Sequence, residues 1–273
     1  MSKPRKTCIF CGKTGMSREH IWGKWLKDYV RQDLSKHGMF TQVVNRPGIP
    51  NTENLHIKSG DPLQSKVRVV CAKCNNEWMS EIQNRAKPHL IPLFTGTTRV
   101  LGVEAQEILA TWITMATMTA EHLIKDARQR AISQTDREFL CQNSKPPADW
   151  RILIGRYQRH RLAAQWTHCD IPVLESKDTP PSGVPPQSNT QITTFMVGEF
   201  FAHAMSAEFS NHARDWDFRT WPRARMLLSQ IWPIKETAMV WPTTAMSMTD
   251  ADAFNIGRAF FNWLDSIARL HGF

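Results

Sequence analysis

The period of apolar and polar positions changes several times along the chain, and each change predicts an element. Over residues 18–30 (REHIWGKWLKDYV) apolar side chains fall at 21, 22, 25, 26, 29 and 30, a helical spacing that begins just after His20. Residues 31–64 are polar and are broken by Gly48, Pro50, Gly60 and Pro62. They read as an insertion loop, with a short hairpin at QVV and NLHI. The period drops to two over residues 66–71 (KVRVVC), a β-branched strand. It lengthens again over residues 75–87 (NNEWMSEIQNRAK), a helix stopped by Pro88.

Beyond residue 90 the pattern predicts a long amphipathic helix over 104–130, its Met, Trp and Leu positions forming a core face. Residues 151–176 read as two paired strands, ILIGRY and LAAQWTHC. Residues 178–190 (DTPPSGVPPQSNT) are a Pro- and Ser-rich loop or linker. Further strands are expected at 191–206 and 224–233, and a closing helix at 250–269. No internal repeat is present. The fold class is α+β, with one unit over residues 1–90 and a second α+β domain over 91–273.

Composition fixes the broad class. Of 273 residues 41% are apolar, with 11 Trp and 13 Phe, so the chain can bury a core and is not a disordered tail. No run approaches the ~18 apolar residues of a membrane span, and the basic N-terminus lacks the apolar segment of a secretory signal. The expected location is the cytoplasm. The net charge of +9 is unevenly spread. Residues 1–90 hold 16 Lys+Arg against 7 Asp+Glu, whereas 91–273 hold 18 of each. A basic surface concentrated in one third of the chain attracts polyanions, nucleic acid above all.

Four of the six cysteines form two CxxC pairs, Cys8/Cys11 and Cys71/Cys74. In a chain read as cytoplasmic such pairs favour metal over disulfides. Zinc takes four tetrahedral ligands, which these thiolates supply with no position left for water, so the site is structural. It would clamp a knuckle at residues 7–12 to a strand end some sixty residues later. Cys141 and Cys169 are read as ordinary thiols, and His168-Cys169-Asp170 as structural. The remaining histidines, His37, His56, His89, His122, His160, His203, His212 and His271, have no setting that suggests chemistry.

Between the pairs stands Glu19-His20-Ile21, and Asn75-Asn76 follows the last cysteine. In this order and spacing residues 8–88 resemble the HNH, or ββα-metal, nuclease family, in particular bacterial and prophage members with EHIWGKWL and VVCAKCNNEWMSEIQNRAKP segments. The resemblance implies an N-terminal ββα-metal domain stapled by zinc. It implies a metal-dependent endonuclease acting on DNA, with His20 as general base and Glu19 and Asn75 as ligands of a catalytic Mg²⁺ or Mn²⁺ ion. Where the family carries its middle Asn this chain has Lys66, whose backbone carbonyl could orient His20; Asn54, Asn76 or Glu81 are alternatives.

Lys13, Arg18, Lys24, Lys66, Arg68, Lys73 and Arg85 are the candidate phosphate contacts. Trp22, Trp25 and Trp78 suit core packing better than base stacking. Two other functions compete: a zinc module that binds nucleic acid without cutting it, and a zinc-knuckle adaptor for other proteins. Residues 91–273 would serve as a DNA reader, a sensor or a dimerisation unit, a homodimer being possible.

Overall fold

The computed structural model describes residues 6–29, 38–44, 55–60, 65–158, 164–171, 187–208, 223–242, 246–253 and 255–256. Its N-terminal strand β1 (Met16–His20) is followed by a 3₁₀ segment at Lys24–Asp28, then by β2 (Gly38–Val44), β3 (Leu55–Gly60) and β4 (Lys66–Cys71). A helical turn, α1 (Ala72–Cys74), widens to π geometry over Asn75–Met79 and continues as α2 (Ser80–Phe94). Next come β5 (Arg99–Gly102), α3 (Val103–Ala120), α4 (Gln134–Asn143), β6 (Arg151–Arg156), β7 (Ala164–Ile171), β8 (Thr190–Val197) and β9 (Phe200–Ala207). The described chain closes with α5 (Ala224–Leu227), β10 (Leu228–Trp232), β11 (Ala238–Trp241) and helical residues at 250–253 and 255–256.

Helices and sheets are mixed, in the α+β manner expected. Seven strands form one sheet in the order β10-β6-β9-β8-β7-β2-β3, while β1-β4 and β5-β11 are separate antiparallel pairs. In the large sheet only β2 and β7 run parallel. The anticipated hairpin within 31–64 is therefore longer than QVV and NLHI, and it is an integral part of the sheet. Strands β6 and β7 fall on the segments ILIGRY and LAAQWTHC, the latter described from Ala164 onward, yet they do not pair with each other. β6 lies between β10 and β9, and β7 between β8 and β2. The intervening partners, β8 and β9, are joined by a two-residue turn with Gly198 at φ +57°, the sign that tight hairpins demand.

Local propensity was overridden in three helices. The 18–30 stretch forms a strand through His20 and only a 3₁₀ segment afterwards. Antiparallel pairing of β1 with β4 wins the first residues. Pro88 does not stop α2, which runs on to Phe94 with Pro92 also inside it. Buried Ile82, Ala86, Leu90 and Leu93 hold that helix to the core, and Pro88 is exposed, so water can meet the carbonyl its missing N–H leaves free.

The expected amphipathic helix is buried all round between Ile108 and Ala120. It tolerates this because Thr111, Thr114 and Thr119 donate their hydroxyls to the carbonyls of Glu107, Ala110 and Met115 at 2.7, 2.9 and 2.8 Å. It also ends ten residues early. The carboxylate of Glu121 is fully buried and turns the chain back, accepting the N–H groups of Ala131 and Ile132 at 2.7 and 3.0 Å. Trp112 on this helix meets Trp22 and Phe195. Residues on both sides of position 90 thus share one core, from Cys8 to Trp241. Most of the expected 178–190 linker and 250–269 helix lies outside the described residues, as do Asn54, His37, His160, His212 and His271.

Gly198 offers a direct test of the β8–β9 turn. A Cβ there would run into the carbonyl of Phe94, which accepts the N–H of Glu199 at 3.0 Å. Gly198→Ala should lower the free energy of unfolding by about 2 kcal/mol or more, because positive φ alone costs an L-residue about 1–2 kcal/mol. An unchanged urea midpoint would contradict this role.

Candidate metal centre and active site

Residues 8–13 fold into a tight knuckle. Gly12, at φ +69°, lets its N–H reach the carbonyl of Cys8 at 2.9 Å, and the N–H of Cys8 reaches Lys13 at 2.8 Å. Ile9 donates to Val69 of β4, and Ala72 donates back to Gly15, each at 2.9 Å. These backbone bonds fasten the knuckle beside the end of β4. Cys71 is the last residue of that strand and caps the helix that follows, its sulfur accepting the N–H of Cys74 at 3.4 Å.

Cys8, Cys11, Cys71 and Cys74 consequently converge, their sulfur atoms all within 4.8 Å of one another. The Cys11–Cys71 pair is 3.6 Å apart. A tetrahedron with metal–sulfur bonds of about 2.3 Å has sulfur–sulfur edges of about 3.8 Å, whereas a disulfide needs about 2.05 Å. The geometry suits a thiolate-bound metal ion. Burial raises the thiols of Cys11 and Cys74 above their ordinary range, so alone they stay protonated, and a bound metal ion would have to displace those protons. Cys141 of α4 lies next to this group, within hydrogen-bonding reach of Cys74. The sequence marked it only as an ordinary thiol.

The other candidate residues lie on the same small scaffold. Glu19 sits on β1 and Asn75 directly follows Cys74. Asn75 hydrogen-bonds the Glu19 carboxylate and donates to Ser17 Oγ at 3.2 Å. Ser17 and Glu19, two apart on a strand, share the face toward Asn75. Gln83 Nε2 donates to Glu19 Oε1 at 3.4 Å, and Trp25 Nε1 donates to Gln83 Oε1 at 3.3 Å. Sequence reasoning missed both Gln83 and Ser17. Their partnership depends on how β1 meets the helix, and no local pattern encodes it. The helix is widened at this point, with Glu77 off helical geometry (φ −98°, ψ −105°), and such π segments recur at functional sites.

His20 is half-buried at the end of β1 and stands directly across from Lys66 in the strand register. Arg18, Lys24, Lys66, Arg68, Lys73, Lys13 and Arg85 are all exposed. Three of them have internal partners. Arg68 Nε donates to the Met16 carbonyl at 3.4 Å, while Lys73 and Arg85 approach Glu77 and Glu104 at 4.0 and 3.9 Å. Exposed pairs of that length are weak and leave the cations available.

Of the tryptophans, Trp22 is buried against Phe195 and Trp112. Trp25 packs on Phe94 beneath Lys87, and Trp78 meets Phe10 edge to face. Asn76 and Glu81 are exposed. His168 and Asp170 are buried in β7, bonded to Thr193 and Ser188. No helix among the described residues is long and apolar enough to cross a membrane. No protein-family model matches the chain, and neither does any curated protein or solved structure.

Burial raises the carboxyl of Glu19 to about 7, against the opposing effect of its bonds to Asn75 and Gln83. Without added divalent cation, the folded chain keeps this proton up to about pH 7, the unfolded chain only to about 4.5. The group therefore favours folding most at acidic pH, and that contribution is lost as pH rises toward 7. Glu19→Gln should gain stability relative to wild type between pH 5 and pH 8 in paired thermal melts. A difference that stays constant with pH would contradict the assignment.

Proposed function

We propose that the chain is an HNH-type endonuclease that hydrolyses phosphodiester bonds in DNA. One observation carries this reading: the carboxylate of Glu19 meets the amide of Asn75, beside His20, on a scaffold closed by four cysteines. A histidine near neutrality is suited to take the proton of a water molecule as its oxygen attacks phosphorus. His20 has this role. The opposite position, Lys66, lies where a backbone group can orient the ring. Glu19 and Asn75 offer oxygen ligands, which suit Mg²⁺ or Mn²⁺. Such an ion would stabilise charge on the departing deoxyribose oxygen.

To serve as a ligand, Asn75 turns its amide oxygen toward Glu19 in place of the NH₂ group. Glu19 must also shed its proton, so ion binding is favoured above about pH 7. Arg18, Lys24, Lys66, Arg68 and Lys73 would hold the flanking phosphates. The four-cysteine site is assigned to zinc, the ion best matched to four tetrahedral thiolates. A second reading, nucleic-acid binding without cleavage, is favoured by the raised affinity of Glu19 for its proton, which weakens it as a metal ligand.

Purified chain with Mg²⁺ or Mn²⁺ should nick plasmid DNA, and His20→Ala should slow this by about 10²–10⁴-fold, the usual worth of a general base. Equal cleavage by both proteins would remove His20 from the mechanism. DNA retention by the wild type without cutting, under several metals, selects the second reading. Elemental analysis should find about one zinc per chain. Cys71→Ser should lower the melting temperature sharply, because metal binding contributes folding free energy. A stable, metal-free wild type would end the zinc assignment.

A further inference from the structure

A cleft of about 630 Å³ opens where the loop after α3, the first turn of α4 and the start of β8 meet. Its volume falls within the ~300–1,000 Å³ range of small-molecule sites. Two guanidinium groups line it, Arg130 and Arg137. Arg137 is only 7% exposed. It is held by Glu121 at 2.5 Å, whose other oxygen is taken by backbone N–H groups. Even so, its Nε has no acceptor among the described residues. The side chain of Arg130 donates to the Ile124 carbonyl at 2.7 and 3.2 Å and makes no ion pair among the described residues.

His122 completes this wall, and its Nε2 is also buried without a partner. Burial and the nearby charges of Arg137 and Arg130 push its proton affinity down to about 3, so the ring is neutral. It can donate or accept a hydrogen bond. Buried polar atoms are almost always satisfied, and a cluster that is not calls for a missing partner. Here the orphaned guanidinium N–H calls for an acceptor. Glu208 also lines the cleft and balances its formal charge, but it pairs with neither arginine among the described residues, which leaves Arg130 open to an anion. Guanidinium groups match the planar, multidentate oxygens of carboxylates and phosphates.

The far wall carries the amides of Gln187 and Asn189, each both donor and acceptor, with Ser188 between them. Ser188 is built in, donating to Asp170 Oδ2 at 2.7 Å and, through its N–H, to the Arg128 carbonyl at 2.9 Å. This side provides for the body of a ligand larger than a bare ion. We propose that the cleft binds a small organic oxyanion, its phosphate or carboxylate on Arg130 and Arg137 and its polar body on Gln187 and Asn189. Nothing in this assignment rests on nuclease activity.

The test is calorimetric titration of the full chain with adenosine monophosphate, citrate and inorganic phosphate at matched ionic strength. One of the two organic oxyanions should bind saturably with a Kd below about 1 mM, and which one does so tells phosphate ester from carboxylate. Arg137 is tied to buried Glu121, and its replacement risks unfolding. Arg130→Gln and Gln187→Ala are therefore the informative variants, each expected to weaken binding about tenfold or more with an unchanged melting temperature. Three results would overturn the proposal: no binding by either organic anion, equal binding of inorganic phosphate, or affinity indifferent to Arg130→Gln.

Discussion

Four sulfur atoms within 4.8 Å of one another set the terms for the N-terminal part of the chain. Buried thiols so crowded gain little from each other. They would gain much from a cation, which would add to the backbone bonds and the β1–β4 pairing that already join the knuckle to the end of β4. The positions beside the cysteines inherit that order. β1 leaves the knuckle four residues after Gly12, and Asn75 follows Cys74 directly. The meeting of Glu19 with Asn75 is thus a by-product of closing the cluster.

A different solution holds the rest of the molecule. α3 has no water-facing side over most of its length, so most polar groups on it are met from within. The hydroxyls of Thr111, Thr114 and Thr119 return to their own helix, Gln106 Nε2 donates to Leu101 and Glu236 carbonyls at 3.0 and 3.1 Å, and Glu121 gathers two backbone N–H groups and a guanidinium. Thr117 Oγ1 and Gln106 Oε1 are buried without a partner among the described residues. α4 joins this region to the thiols. Gln134 at its start lines the polar cleft and donates to the Ile9 carbonyl in the knuckle at 3.1 Å. Cys141, two turns later, reaches Cys74. One ten-residue helix therefore touches both the cleft and the four-cysteine cluster.

The parts of this arrangement that were legible in sequence are those with local chemistry. Two CxxC pairs announced the cluster, and the alternation of KVRVVC announced β4. A Gly- and Pro-broken stretch still disclosed its hairpin through QVV and NLHI. What escaped was set by distant partners. α4 lacks a strong apolar stripe, and β5 and β11 are four residues each and exist only as a pair. ILIGRY and LAAQWTHC read as neighbours because they are consecutive, but the more extended β8–β9 hairpin inserts beside them. The early end of α3 depends on Glu121 finding donors at residues 131 and 132. Gln83 became a partner of Glu19 only through the packing of β1 on the widened helix.

The parallel pairing of β2 with β7 has a consequence for biosynthesis. The β2–β3 hairpin leaves the ribosome complete at Gly60, but its neighbour in the sheet begins at Ala164. At about 5–20 residues per second the nascent chain waits on the order of ten seconds for that partner. Throughout this interval β2 carries an unsatisfied edge, the feature that invites pairing with other chains. Translation speed and chaperone supply thereby become determinants of yield for this protein, independently of how stable it is once the sheet has closed.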